Sequence, residues 1–139
     1  MSPSMNTAVW LARAGLCLAY VYSGLAKLID FPAAIAEQQH FGLQPAALFA
    51  AATIVVQLGG SALVLFAQGR QAALGAAALA AFTVLATVIG HPFWTMSGIE
   101  RFHNLNAFLE HAGLVGGFGL IALKALQPYT ANTPCAPVR

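Results

Sequence analysis

Residues 46–67 read AALFAAATIVVQLGGSALVLFA, an unbroken stretch without charge and with one amide, Gln57, near its middle. Wound as an α-helix at ~1.5 Å per residue, it is about 33 Å long, and a hydrocarbon core is ~30 Å thick. No short segments of alternating polarity suggest a barrel strand. In lipid a helix satisfies its own backbone, so the stretch reads as a transmembrane helix, and the rest of the chain follows from that.

Composition supports the same environment. Of 139 residues, 59% are hydrophobic and only 7% are charged. Soluble domains carry about 25% charged residues, and six basic plus four acidic side chains do not cover a water-facing surface.

Toward the N-terminus, residues 8–29 form another apolar run, with Arg13 near its start and Lys27 near its end. No charge precedes it and no small-x-small cleavage site follows before Lys27, so it reads as a retained helix, not a signal peptide. Arg13, Tyr20 and Lys27 are spaced by seven and share a face with Ser23; both cations are placed to snorkel to an interface. Asp30-Phe31-Pro32 then caps and starts a short helix running toward Phe41 and stopped by Gly42. Its Glu37, Gln38, Gln39 and His40 suit the membrane surface better than its interior.

Toward the C-terminus, residues 68–71 (QGRQ) read as a tight polar turn. Residues 72–90 form an alanine-rich third span with Thr83 and Thr87 on one face. Gly59-Gly60-Ser61-Ala62 offers a smooth surface for close helix contact. His91 to Met96 is an aromatic, proline-containing connection in which Phe93 and Trp94 suit the headgroup region. Ser97 and Glu100 read as a capping box that begins the fourth helix near Gly98. The apolar part of that helix is 105–126, and from Gly98 it runs about 43 Å, so its first turns project from the core or bend along the interface. Residues 128–139 read as a disordered tail.

The expected fold is therefore all-α: an integral membrane four-helix bundle with spans at about 8–29, 46–67, 72–90 and 105–126, and a short surface helix between spans one and two. Residues 1–127 make one transmembrane domain. Arg13, Arg70, Lys124 and Arg139 fall on one side, Lys27 and Arg101 on the other. The positive-inside rule places both termini in the cytoplasm, and the expected location is the bacterial inner (plasma) membrane, crossed several times.

Lys and Arg never adjoin, so nucleic acid is excluded as a partner. Cys17 and Cys135 form no C-x-x-C pair; Cys17 reads as a buried thiol. There is no phosphate loop, nucleophile elbow or H-E-x-x-H. Glu100-x-x-His103 is half of a di-iron motif whose remaining acids are lacking, and no metal is expected.

The polar residues concentrate between Gly90 and Gly117 and at the outer end of the first span. The primary candidates are Lys27, His91, Trp94, Glu110 and His111; Ser23, Gln57, His103 and Asn104 are secondary. Glu100, His103, Ala107, Glu110 and Leu114 follow one helix face. Glu110 and His111 lie about one turn inside the apolar segment, where an ionisable group needs a partner or water. Lys27 is the expected partner of Glu110.

Together these residues resemble the DoxX family of small four-helix membrane proteins, over roughly residues 11–126. The resemblance rests on Arg13, on Ser23-Gly24-Leu25-Ala26-Lys27 as an S-G-x-x-K, and on Gln57-Leu58-Gly59-Gly60. It extends through His91-Pro92-Phe93-Trp94 to Asn104, Phe108, Leu109, His111, Gly113, Gly116 and Gly117. Gln57 stands where the family usually has a glutamate. The resemblance implies membrane redox work, as in a thiosulfate:quinone oxidoreductase and a mycobacterial oxidoreductase complex. The implied role is a subunit of a quinone- or thiol-linked system, with quinone as the candidate cofactor. Lys27, His91 and His111 would donate to a quinone carbonyl and Glu110 would pass protons. The expected partners are the lipid bilayer, membrane or periplasmic redox proteins and further copies of the chain. A non-catalytic assembly or scaffold subunit is the alternative. A small proton-coupled exporter is the third reading, although the first helix lacks the deep acid such transporters use.

Overall fold

The structure, a computed structural model, describes residues 6–127. Helix α1 spans Thr7–Ile29, and the Asn6 side chain caps it by accepting from the Ala8 N–H at 3.0 Å. Helix α2 spans Phe31–His40; the Asp30 carboxylate accepts from the Ala33 N–H at 3.0 Å, and the proline in its first turn lacks a donor that would go unused there. Three further helices follow: α3 over Ala46–Phe66, α4 over Gly69–Gly90 and α5 over Gly98–Leu126. A single 3-10 turn at Phe93–Thr95 leads into α5. Helices α1, α3, α4 and α5 are long and apolar enough to cross a membrane. The tail expected at 128–139 lies outside the described residues.

Two local expectations are corrected. The link between α3 and α4 is only Ala67 and Gln68, so Arg70 and Gln71 belong to the first turn of α4 and not to a polar loop. At the start of α5, Ser97 occupies the N-cap position, but its side chain makes no capping bond; its carbonyl accepts from the Arg101 N–H at 3.3 Å. Gly98, the first residue of α5, lies in the left-handed region at φ +58°. That reversal takes the hydroxyl away from the amides it would cap.

Within α3 the helix widens over Val55–Gly59 into a π turn, and Gln57 lies in it, buried. Such turns rotate the following residues relative to a regular α-helix and recur at functional sites.

The bundle closes by small-residue contact. Gly60 of α3 meets Gly75 of α4 so closely that a Cβ on Gly75 would lie 2.6 Å from Leu63 Cβ and 2.7 Å from the Gly60 carbonyl oxygen. Lipid tails supply no hydrophobic drive between helices, so fitted contacts of this kind hold them together. Helix α5 packs most extensively on α4. Cys17, Tyr20, Val64, Ala76, Leu79 and Phe118 form the core, with the Tyr20 ring edge-on to Phe82 and Phe118. Large apolar side chains, among them Leu18, Ile29, Val55, Phe66, Leu85 and Leu123, point outward. An apolar coat is stable around a bundle only in lipid.

Candidate functional site

The face of α1 read from its seven-residue spacing turns inward, and each of its polar members has a fixed partner. Arg13 Nη1 donates to the Val64 carbonyl at 3.0 Å. That carbonyl lies in the last turn of α3, where no helical N–H reaches it, so the guanidinium caps a helix end and does not snorkel. Thr83 donates to the Leu79 carbonyl at 2.6 Å, which spends its only hydrogen; the Tyr20 hydroxyl, 2.5 Å away, must therefore donate to Thr83 Oγ1. Lys27 forms an ion pair with Glu37 of α2 at 2.8 Å and donates to Ser23 Oγ at 3.1 Å.

This overturns the expected Lys27–Glu110 pair. Glu110 is exposed on the outer face of α5, and the carboxylate facing Lys27 comes from the surface helix. A step of one residue rotates a helix position by about 100°, which is enough to place His111 inward and Glu110 outward. Glu100 and His103 are exposed as well, so the acidic and histidine stripe on α5 does not face the bundle.

His111 is held by α4. Thr87 donates to the Thr83 carbonyl at 2.6 Å, so its oxygen can only accept from His111 Nδ1, 2.8 Å away. The neutral ring therefore carries its hydrogen on Nδ1 and presents Nε2 as an acceptor. The same reasoning orients His91: Asn104 Nδ2 donates to the Glu100 carbonyl at 3.0 Å, leaving Asn104 Oδ1 to accept from His91 Nδ1 at 2.9 Å. The two imidazoles lie edge to face with centroids 5.1 Å apart.

Between α1, α3, α4 and α5, at the end of the bundle bearing α2, lies a cavity of about 550 Å³. Its walls are mostly apolar, with Phe41, Phe49, Val56, Phe82 and Leu114 among them. Into these walls are set Lys27 and Glu37 together with Ser23, Gln57, Tyr20, Thr83 and His111. Volume and lining match the usual form of a small-molecule site: a mainly apolar cleft with a few placed polar groups. Gln57 is only 5% exposed; its Nε2 donates to Ser23 Oγ at 3.3 Å, while its Oε1 has no hydrogen-bond partner among the described residues.

Of the primary candidates, the structure brings Lys27 and His111 to one cavity, with His91 against the back of His111. Trp94 is 54% exposed and stacks edgewise on Phe93 and Phe108, outside the cavity lining. Ser23 and Gln57 belong to the wall, Asn104 orients His91, and His103 faces outward. Glu37, Thr83 and Thr87 were not among the sequence candidates. The signal for the threonines was their shared face on α4; for Glu37 it was a lone acid in a surface helix following Lys27.

The fold and the cavity define a multi-pass helical membrane protein with a ligand-sized site at one end. The chain belongs to the DoxX family, whose profile matches residues 8–92, more than half of its length. The match takes in Ser23, Lys27, Gln57 and His91 and stops before α5. No curated protein and no solved structure matches the chain. Family and helices together agree with a multi-pass inner-membrane location.

Proposed function

We propose that the chain is the quinone-binding subunit of a membrane oxidoreductase, with the cavity receiving a quinone head group. The carrying observation is the cavity itself, an apolar cleft large enough for a substituted ring and the first part of its tail. Lys27, Ser23, Gln57 and His111 are among the residues that line it. In this reading the quinone ring enters from lipid, its polar atoms meet the Ser23–Gln57 pair, and the partner subunit supplies or takes the electrons. With both termini in the cytoplasm, as the distribution of Lys and Arg favours, the cavity and α2 are on the outer side. The test is quinone binding by the purified protein in nanodiscs, followed by quenching of its tryptophan emission. Saturable binding that weakens in Ser23→Val and Lys27→Met supports the reading; no saturable binding removes it.

A second reading, an assembly subunit, is favoured by the outer face of α5. Glu110 is exposed there, about 21 Å along the helix from Lys124, hence within a core ~30 Å thick if Lys124 marks the opposite boundary. A carboxylate on a lipid-facing surface at that depth is costly, and the adjoining Gly113 and Gly116 have open space where a Cβ would be. A helix of another subunit laid on this face would cover both. Detergent pull-down of a stable partner, or of a second copy, tests it.

A further inference from the structure

The quinone reading leaves open which redox form the cavity holds, and the polarity of its hydrogen bonds bears on that choice. Tyr20, Thr83 and Thr87 have each spent their single hydrogen inside the protein, and His111 Nδ1–H is spent on Thr87. Lys27 has given two of its three hydrogens to Glu37 and Ser23 and keeps one; the other open groups around Gln57 and His111 are acceptors. Gln57 lines the cavity, and its buried Oε1 is without a partner among the described residues. His111 Nε2 is a lone pair on a ring that lines the same cavity. Ser23 Oγ receives from both Lys27 and Gln57, which uses both of its lone pairs and leaves its hydrogen to give away. Beside Gln57 there is therefore one place that wants a group able to accept from Ser23 and donate to Gln57 Oε1. A hydroxyl does both, whereas a quinone carbonyl only accepts.

Resting on the quinone reading above, we infer that the cavity selects the reduced, hydroquinone form, and that Gln57 Oε1 is the specificity-determining acceptor for a ring hydroxyl, with His111 Nε2 as a second acceptor on the wall. Binding the oxidised form would bury the Gln57 oxygen a second time without a partner, and a site left with an unmet buried polar group discriminates strongly against the ligand that leaves it so. The site is thus built to accept quinol from the membrane pool or to retain quinol once it is formed.

The experiment compares three probes on the full chain in nanodiscs under anaerobic conditions: a decyl-substituted benzoquinone, its hydroquinone and the dimethyl ether of that hydroquinone. The ether keeps the shape and loses both donors. The hydroquinone is expected to bind at least about tenfold tighter than either of the others. That preference should collapse in Gln57→Leu and persist in Gln57→Glu, whose carboxyl keeps an acceptor but has no amide donor; His103→Ala, on the exposed face, is the control for handling. Quinone binding as tight as hydroquinone overturns the inference and leaves the quinone site standing. An ether as tight as the hydroquinone shows that shape and not hydrogen bonding selects, which also overturns it. An unchanged preference in Gln57→Leu removes Gln57 from the role. If none of the three binds, the quinone reading falls together with the inference. The comparison among probes needs only the wild-type protein, so it stands even where a variant fails to fold.

Discussion

The Thr87 hydroxyl accepts from His111 Nδ1 at 2.8 Å because its own hydrogen is committed to the Thr83 carbonyl at 2.6 Å. A tautomer is thus fixed by a threonine on a neighbouring helix, and with it the polarity of one wall of the cavity. In protein labelled with ¹⁵N-histidine, solid-state NMR should show the neutral His111 ring protonated at Nδ1. Thr87→Val keeps the side-chain shape but removes the acceptor, so the hydrogen should redistribute toward Nε2, with a stability loss of about 1 kcal/mol. An unchanged His111 signal in that variant would mean that another group sets the tautomer.

Arg13 is a cation in a membrane helix whose described partner is a carbonyl and not a carboxylate. Its role is to close the end of α3, so replacing it tests a helix-capping role. Arg13→Met should cost about 1–3 kcal/mol, the range for stranding a buried polar group, and Arg13→Lys should recover part of that because it keeps a donor. Unfolding by graded denaturing detergent, followed by circular dichroism, gives the comparison; equal stability of Met and wild type would show that water or lipid satisfies the Val64 carbonyl.

Gly75 and Gly116 make a matched pair of opposite sign. A methyl at Gly75 would collide with Leu63 Cβ and the Gly60 carbonyl, whereas a methyl at Gly116 meets nothing within 4 Å. Gly75→Ala should therefore destabilise the bundle by about 1–3 kcal/mol, because backbone and Cβ atoms must give way. Gly116→Ala should be neutral or stabilising by up to about 1 kcal/mol through helix propensity. The same unfolding assay reads both, and a neutral Gly75→Ala would place the α3–α4 crossing elsewhere.

The spans were legible because length and unbroken apolarity are sufficient to specify a helix in lipid, and α2 was legible because Asp30 and Pro32 have one good use, at a helix start. The side chains of the site were legible only in part. Lys27, Ser23 and Gln57 stood out as polar groups in apolar runs, and all three reach the cavity. Glu110 stood out for the same reason and faces away, because apolar flanks report depth but not rotation about the helix axis. On an alanine-rich helix a threonine looks the same whether its hydroxyl only bonds back to its own helix or also holds a histidine, so the sequence does not single out Thr87. The π turn at Gln57 left no pattern at all; it shows itself only as the widened helix over Val55–Gly59.

Lys27 and Glu37 tie α2 to α1, and the strength of that tie depends on solvent. Lys27 is 14% exposed at its side chain but Glu37 is 43% exposed, so the pair is screened and its coupling should be under about 1 kcal/mol in a double-mutant cycle. Lys27 also donates to Ser23 inside the cavity, so its loss reaches further than the ion pair. Lys27→Met is expected to weaken quinone-class binding several-fold, while Glu37→Gln, which keeps a hydrogen-bonding oxygen facing Lys27, should change it less than twofold. The reverse order would make α2, and not the Ser23–Gln57 pair, the main determinant of binding.

Glu110 separates the two functional readings, because it is on the same helix as His111 and one residue away, yet on an exposed face outside the cavity lining. If the cavity carries the function, Glu110→Gln leaves quinone-class binding within twofold of wild type, since the residue is not part of the lining. If the outer face of α5 docks a partner, the same variant reduces recovery of that partner, because a charge that was matched across the interface is left without its counterpart. Thr87→Val is the complementary probe: it alters the His111 wall and leaves the outer face untouched. Measured side by side in one lipid composition, the two variants should fail in different assays. A Glu110→Gln protein that loses ligand binding but keeps its partner would contradict the outward placement of that side chain.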